Sequence, residues 1–436
     1  MLKIETNFRR NLFWNTTTIS FNKDLEKQEK GLINIYPDTQ FQEILGFGGA
    51  LTEASGYCFD KINPLMQNQI LEEYFSHKGL QYSFCRVPIG SCDFALSSYS
   101  YLEKEDIHTF SIDRDEKFII PLIKNALRKN PSLKLLASPW SPPAFMKDNQ
   151  SLILGGKLLK EYYDLYAQYL TKYVLEYQKR EILIDFITIQ NEPNAIQKWE
   201  SCLFSPQEEA DFAENYLHPK FMQSQIQTKI LSWDHNKERL FSRANEIYKT
   251  ASKSISGMAM HWYSGDYFEE IALTAKAYPD KLLIHTEGCT GFSHFRKQDE
   301  VQNAEIYAHD ILGDLNAGIN GFIDWNILLD HKGGPNHKRN YCNAPIMLNA
   351  NNTGYIKNLT YYYIGHFSKY IKPGAKKIGF SRFTSDIEVT AFKNVDNSLI
   401  VILLNRNNFN KEFTLHINGK TFHDNLDAHA ILTFII

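Results

Sequence analysis

Two glutamates stand where a carboxylate is costly. Glu192 follows the apolar run IDFITIQ inside QNEPN (190–194), and Glu287 closes LLIHTEG (282–288) in the same way. A carboxylate at the end of a buried strand has to be paired or used. Either glutamate alone could cap a helix or complete an ion pair. Together, at the ends of two strands of one sheet, they are the equipment of glycoside hydrolysis: one protonates the leaving oxygen, and the other attacks the anomeric carbon or activates water. They are distant in the chain, so only a closed fold brings them face to face.

Other chemistries lack their residues. GFGG (46–49) has no third glycine for a dinucleotide fingerprint, and GKT (419–421) lacks the earlier glycine of a phosphate loop. There is no HExxH, GxSxG or EF-hand string. The 14 histidines show no ligand spacing, so neither a metal nor a cofactor is expected. Six cysteines without a CxxC pair read as reduced thiols. Cys289, two residues past Glu287, is not expected to act as a nucleophile, because a carboxylate already fills that role.

The elements that must position these residues are written in the hydrophobic pattern. Eight short apolar runs, from ILGFGG (44–49) and YSFCRVP (82–88) to KLLIHTE (281–287) and INGFIDWN (319–326), alternate with longer amphipathic stretches. Leu158, Tyr162, Leu165, Tyr169 and Tyr173 predict a helix over 157–180. Eight strands with intervening helices fit a TIM (β/α)8 barrel, with a doubly wound sheet as the alternative. Arg86, Trp140, Glu192, Asp234, His261, Trp262, Glu287 and Trp325 then fall at or beyond the C-terminal strand ends, where barrel active sites are built.

After about residue 370 short alternating runs predict an antiparallel β-sandwich, with FWNTTTISF (13–21) adding a strand from the N-terminus. The expected division is residues 1–38 joining the sandwich, 39–370 forming the catalytic barrel, and 371–436 forming the sandwich, with Lys372-Pro373-Gly374 at the boundary. A net charge of −3 over 436 residues argues against a nucleic-acid partner. No run is long and apolar enough for a transmembrane segment, and MLKIETNFRR lacks the apolar core of a signal peptide. A Lys-, Asn- and Ile-rich bacterial protein is expected, cytoplasmic or exported by a route without a recognisable signal.

The strings FQEILGFGGALTEA (41–54), RVPIGSCDF (86–94), ASPWSPPAFMK (137–147), QNEPN, HWY (261–263), HTEGCTG (285–291) and DWNILLDHKGGPNH (324–337) carry a resemblance. In that order the chain resembles glycoside hydrolase family thirty, in its glucosylceramidase (glucocerebrosidase) branch. The resemblance implies a TIM barrel with a side β-sandwich and a retaining mechanism, with Glu192 as acid/base and Glu287 as nucleophile. It implies Asn191 on the sugar 2-hydroxyl, and Asp93, Trp140, Trp325 and Asn340 lining the glycone subsite. Tyr263 is expected to reach the nucleophile, with Arg86 and His261 in support.

The implied substrate is glucosylceramide or a related β-glucoside, with transient contact to a lipid surface. The alternatives are a β-1,6-glucanase or β-xylosidase of the same family. The intact Glu192, Glu287 and Asn191 argue against a non-catalytic carbohydrate-binding barrel. An aromatic rim of Phe145, Trp199, Phe204 and Phe292 is expected around the leaving group, and the charge on Glu287 is expected to raise the pKa of Glu192.

Overall fold

The protein is described from a computed structural model covering residues 1–436 except 26, 28 and 292–299. Eight parallel strands close a barrel. In chain order, strands 1 to 8 are Gly46–Ala50, Phe84–Ile89, Lys134–Pro139, Phe186–Thr188, Lys229–Asn236, Ile255–His261, Leu282–Glu287 and Gly321–Asn326, and strand 8 pairs with strand 1. At least one helix follows each strand. Strand 1 is glycine-rich for a steric reason: a Cβ on Gly48 would lie 1.6 Å from the Phe84 carbonyl oxygen of strand 2.

The barrel interior changes character along its axis. Phe84, Leu136, Phe186, Leu231, Ala259, Ile284 and Ile323 form an apolar plug. Side chains on a strand repeat their direction every two residues. The next inward positions are Arg86, Ser138, Thr188, His261, Thr286 and Trp325, so the plug gives way to a polar layer one pleat higher.

Strand 5 breaks the alternation. Ala259 of strand 6 pairs with Trp233 and Met260 pairs with His235, which leaves Asp234 as an extra residue, and Trp233 and Asp234 both have positive φ, 76° and 47°. This bulge re-aims a side chain. Trp233 lies against Arg243 on the helical side, and Asp234 turns into the barrel.

The helix predicted from residue 157 begins at Tyr163, after a single 3-10 turn over Lys160–Tyr162. Lys157 and Leu158 are held instead in bridges to Leu203 and Lys147, and the Leu159 N–H donates to the Met146 carbonyl at 2.9 Å. Tertiary pairing of the active-face loops overrides helical periodicity there.

The second unit is one ten-stranded sheet. The N-terminal part supplies Leu2–Asn7, Leu12–Thr18, Asn22–Lys23 and the long strand Leu32–Glu43, which continues past residue 39; the C-terminal part supplies six strands between Lys376 and Ile435. Lys376–Arg382 and Lys420–Leu426 were not apparent in the alternating pattern. The sheet folds over on itself as a sandwich. Phe434, near one end of the strand order, meets Phe413 and Phe422, near the other, with ring centroids 6.1 and 5.7 Å apart. Ile33, Val389, Val401, Leu403 and Leu415 fill the space between the layers.

Candidate active site

At the C-terminal face of the barrel a cavity of about 470 Å³ is lined by Asp93, Trp140, Asn191, Glu192, Trp199, Tyr263, Glu287, Trp325 and Asn340, with Phe94, Gln197, Cys289, Tyr341 and Cys342 among its other walls. Every residue expected to touch substrate therefore faces one space. Arg86 and His261 do not line it; both lie fully buried beneath it.

Arg86 ties the floor together. Its guanidinium donates to Glu287 Oε2 at 2.5 Å, Asp234 Oδ2 at 2.7 Å, Asn191 Oδ1 at 2.8 Å and Ser138 Oγ at 3.1 Å. It also lies under the stacked pair Trp140–Trp325, whose centroids are 5.4 Å apart, at 4.7 and 5.6 Å from the two rings. On the other side of Glu287, the Tyr263 hydroxyl donates to Oε1 at 2.9 Å. Glu287 is thus held through both oxygens.

Asp234 is the hub of the polar layer. It accepts from Arg86, from Thr286 at 2.6 Å, Thr188 at 2.7 Å and Ser138 at 2.8 Å, and it contacts His261 Nε2 at 3.1 Å. Burial alone would raise its pKa, but Arg86, His261 and Thr286 hold it far below the usual carboxylate range. The sequence marked Asp234 only as a strand-end residue. Alternation from Leu231 would have turned it outward, and the bulge that reverses this has no composition signal.

His261 bridges Asp234 to Glu192, whose Oε1 lies 3.7 Å from Nδ1. Burial would push the imidazole down, but Glu287, Asp234 and Glu192 carry it up to about 9. It is therefore an imidazolium at neutral pH, directed at both carboxylates. Glu192 has positive φ (48°), and its N–H donates to the Asp234 carbonyl at 2.9 Å. That left-handed backbone costs about 1–3 kcal/mol and is held by the surrounding structure.

The expected upward shift of Glu192 is overturned. Burial favours the neutral acid, but the neighbouring His261 cation, then the charge of His235 and a bond from Gln197, lower its pKa below the ordinary value. A cation stands nearer in effect than the Glu287 anion. Asp93 behaves oppositely: burial pushes it up to about 7, although Asn340 and Asn336 each donate to its Oδ2 at 3.1 Å.

The aromatic rim is corrected in part. Phe204 is buried against Phe212, and Phe145 lies half-buried, edge-on to Tyr162; Trp199 lines the cavity, and Phe292 lies outside the described residues. Among the described residues an exposed aliphatic pair lies near the mouth. Leu154 is 58% and Ile196 64% exposed, and the Leu154 N–H donates to the carbonyl of Gln197, a cavity residue, at 2.8 Å.

A closed parallel barrel that carries two glutamates to an aromatic-floored cavity at its C-terminal face defines a glycoside hydrolase. Residues 44–371 match the glycosyl hydrolase family 30 TIM-barrel domain, and residues 374–434 match the glycosyl hydrolase family 30 beta sandwich domain. The chain belongs to glycosyl hydrolase family 30. It is 30% identical to the lysosomal acid glucosylceramidase of Mus musculus over 408 residues, 88% of this chain and 79% of that protein. The crystal structure of SrfJ from Salmonella typhimurium superposes with a TM-score of 0.97 at 37% identity, covering 100% of this chain and 99% of that one. An endo-β-1,6-glucanase structure gives 0.89 at 29% identity, covering 99% and 98%. Among the described residues no helix is long and apolar enough to cross a membrane.

Proposed function

We propose that this enzyme is a retaining β-glucosidase that hydrolyses glucosylceramide or a closely related β-glucoside. The observation that carries the reading is the two-sided hold on Glu287. Arg86 and Tyr263 fix both its oxygens and aim the carboxylate at the cavity, while Glu192 faces the same cavity from the loop after strand 4. Glu287 attacks the anomeric carbon and Glu192 protonates the departing oxygen, forming a glycosyl-enzyme; Glu192 then removes a proton from the water that hydrolyses it. Asn191, anchored through its Oδ1 to Arg86, keeps its amide N–H groups for the sugar 2-hydroxyl. Asp93 and Asn340 serve the remaining hydroxyls, over the Trp140–Trp325 floor.

The lipid aglycone is supported by the mouse relative's name and by Leu154 and Ile196, exposed aliphatic residues on the segments that carry the cavity residue Gln197. One observation favours a second reading, cleavage within a β-1,6-glucan. A second cavity of about 720 Å³, whose walls include Gln302, Asn303, His309, Asp310 and Arg406, shares Tyr263, Cys289 and Gly291 with the first and offers hydrogen-bonding groups to another sugar.

The test is a kcat/KM panel of glucosylceramide in detergent, gentiobiose, a longer β-1,6-glucan and an aryl β-xyloside, run on the parent and on Ile196→Asp. The lipid reading expects glucosylceramide to lead and Ile196→Asp to lose on the order of tenfold on it alone, about 1.4 kcal/mol of aglycone contact. A preference for the glucan that grows with its length would overturn it.

A further inference from the structure

Two thiols share a wall of the cavity and take no part in the hydrolytic reading. Cys289 lies two residues past Glu287 on the loop after strand 7, and Cys342 lies on the segment after strand 8; both line the cavity. The segments are fastened side by side. Gly291 and Cys342 form an isolated antiparallel bridge, and the Asn343 N–H donates to the Thr290 carbonyl at 3.0 Å. Cys289 is near enough to raise the pKa of the Cys342 thiol. Cys289 Sγ is also 3.5 Å from the hydroxyl of Tyr263, the residue that donates to Glu287.

The register decides what such a pair can hold. With Gly291 opposite Cys342, Cys289 stands diagonal to Cys342 on the same face. Diagonal neighbours in an antiparallel pair have Cα atoms about 7–8 Å apart, whereas disulfides span about 5.5–6 Å and rarely exceed roughly 6.8 Å. A direct S–S bond would need the backbone to move; one large atom between the sulfurs would not. Charge narrows the class further. Burial and the contact with Cys289 hold Cys342 as a neutral thiol, and the neighbouring Glu287 disfavours a ligand that leaves two thiolates behind.

We propose that Cys289 and Cys342 form a dithiol site for a trivalent arsenical, and that its occupation blocks the adjoining carboxylates. An organoarsenous acid, R–As(OH)2, exchanges both hydroxyls for the two sulfurs. Two As–O bonds break and two As–S bonds form, each thiol proton leaves with a hydroxyl as water, and arsenic stays in the +3 state, so no oxidant is required. The adduct is neutral. It places the arsenic and its substituent against Tyr263, in the space a sugar must enter.

Phenylarsine oxide is the probe, added to the full chain and followed by intact mass spectrometry and by aryl β-glucoside turnover. One phenylarsenic unit per chain is expected, with at least a tenfold loss of turnover that 2,3-dimercaptopropanol reverses and an equal thiol excess of 2-mercaptoethanol does not. Cys289→Ala and Cys342→Val should each abolish the adduct, with thermal melting curves showing that both are folded. The mass readout stands even if the substrate assignment fails. No adduct on the parent, or an adduct that persists in either folded variant, would overturn the site; a stoichiometric adduct with undiminished turnover would overturn the blockade.

Discussion

Replacing Arg86 with methionine removes the charge and the donor fork and keeps a similar apolar volume. Arg86 is fully buried and makes four side-chain hydrogen bonds, two of them to carboxylates. Hydrogen bonds to charged groups contribute about 1.5–3 kcal/mol each, but these share one network and do not add. Breaking a buried ion pair from one side costs about 3–5 kcal/mol, and that is the expected loss of stability. For a domain of this size each kcal/mol is roughly 2 °C in Tm, so calorimetry at pH 7 should find a drop of roughly 6–10 °C. Glu287 would keep Tyr263 but lose its other partner, and Asn191 would lose its anchor. A fall in kcat/KM on an aryl β-glucoside on the order of 10²–10³ should follow, about 3–4 kcal/mol of transition-state stabilisation.

The pH dependence fixes the cause. In the parent the folded pKa of Asp234 is depressed, so its contribution is present above the unfolded value near 4 and is lost only as pH falls through the folded value. Without Arg86, burial acts against a less opposed Asp234 anion, and protonation relieves it, so the Tm gap should narrow between pH 7 and pH 4.5. Arg86→Lys keeps the charge without the fork and should recover only part of both losses. A stability difference under about 1 kcal/mol, or a gap that does not narrow on acidification, would refute the role given to Arg86.

His261→Asn removes the cation that holds Glu192 low. Burial then meets only His235 and Gln197, so the basic limb of the kcat/KM–pH profile, set by loss of the acid proton, should move to higher pH; a static or downward limb contradicts the coupling. Asp93 has a folded pKa of about 7 against about 4 unfolded, so its ionisation costs stability as pH rises through that window. Asp93→Asn should therefore melt higher than the parent at pH 8 but not at pH 4, while raising KM for a β-glucoside at least tenfold; an unchanged KM would remove Asp93 from the glycone subsite. Glu192→Ala should lose about 10²–10⁴ in rate on glucosylceramide and far less on a dinitrophenyl glucoside, with azide restoring turnover. Equal losses on both substrates without rescue would assign Glu192 a structural role.

The barrel was legible because its strands are buried on both sides and read as unbroken apolar runs, and all eight lie within a few residues of their expected places. Glu192 and Glu287 were legible because a carboxylate ending such a run has few reasons to be there. Asp234 was legible as a strand-end residue but not as one that faces inward, because a bulge reverses its facing, and one inserted residue has no signature in hydrophobic periodicity. Phe204 was misread for a related reason: an aromatic on a loop looks the same whether it turns outward or, as here, packs on Phe212 while Arg243 donates to its carbonyl at 2.6 Å. The low pKa of Glu192 depends on His261 crossing from strand 6, a contact no local string encodes.

The proposed mechanism turns on attack by Glu287 on the anomeric carbon of the sugar. Incubation with a 2-deoxy-2-fluoro-β-glucoside bearing a good leaving group, followed by peptide mapping of the trapped intermediate, tests it most directly. One fluoroglucosyl group per chain is expected, attached to Glu287, with stereochemistry retained in the product of the unmodified substrate. Labelling of a different carboxylate, or a product of inverted configuration, would contradict it.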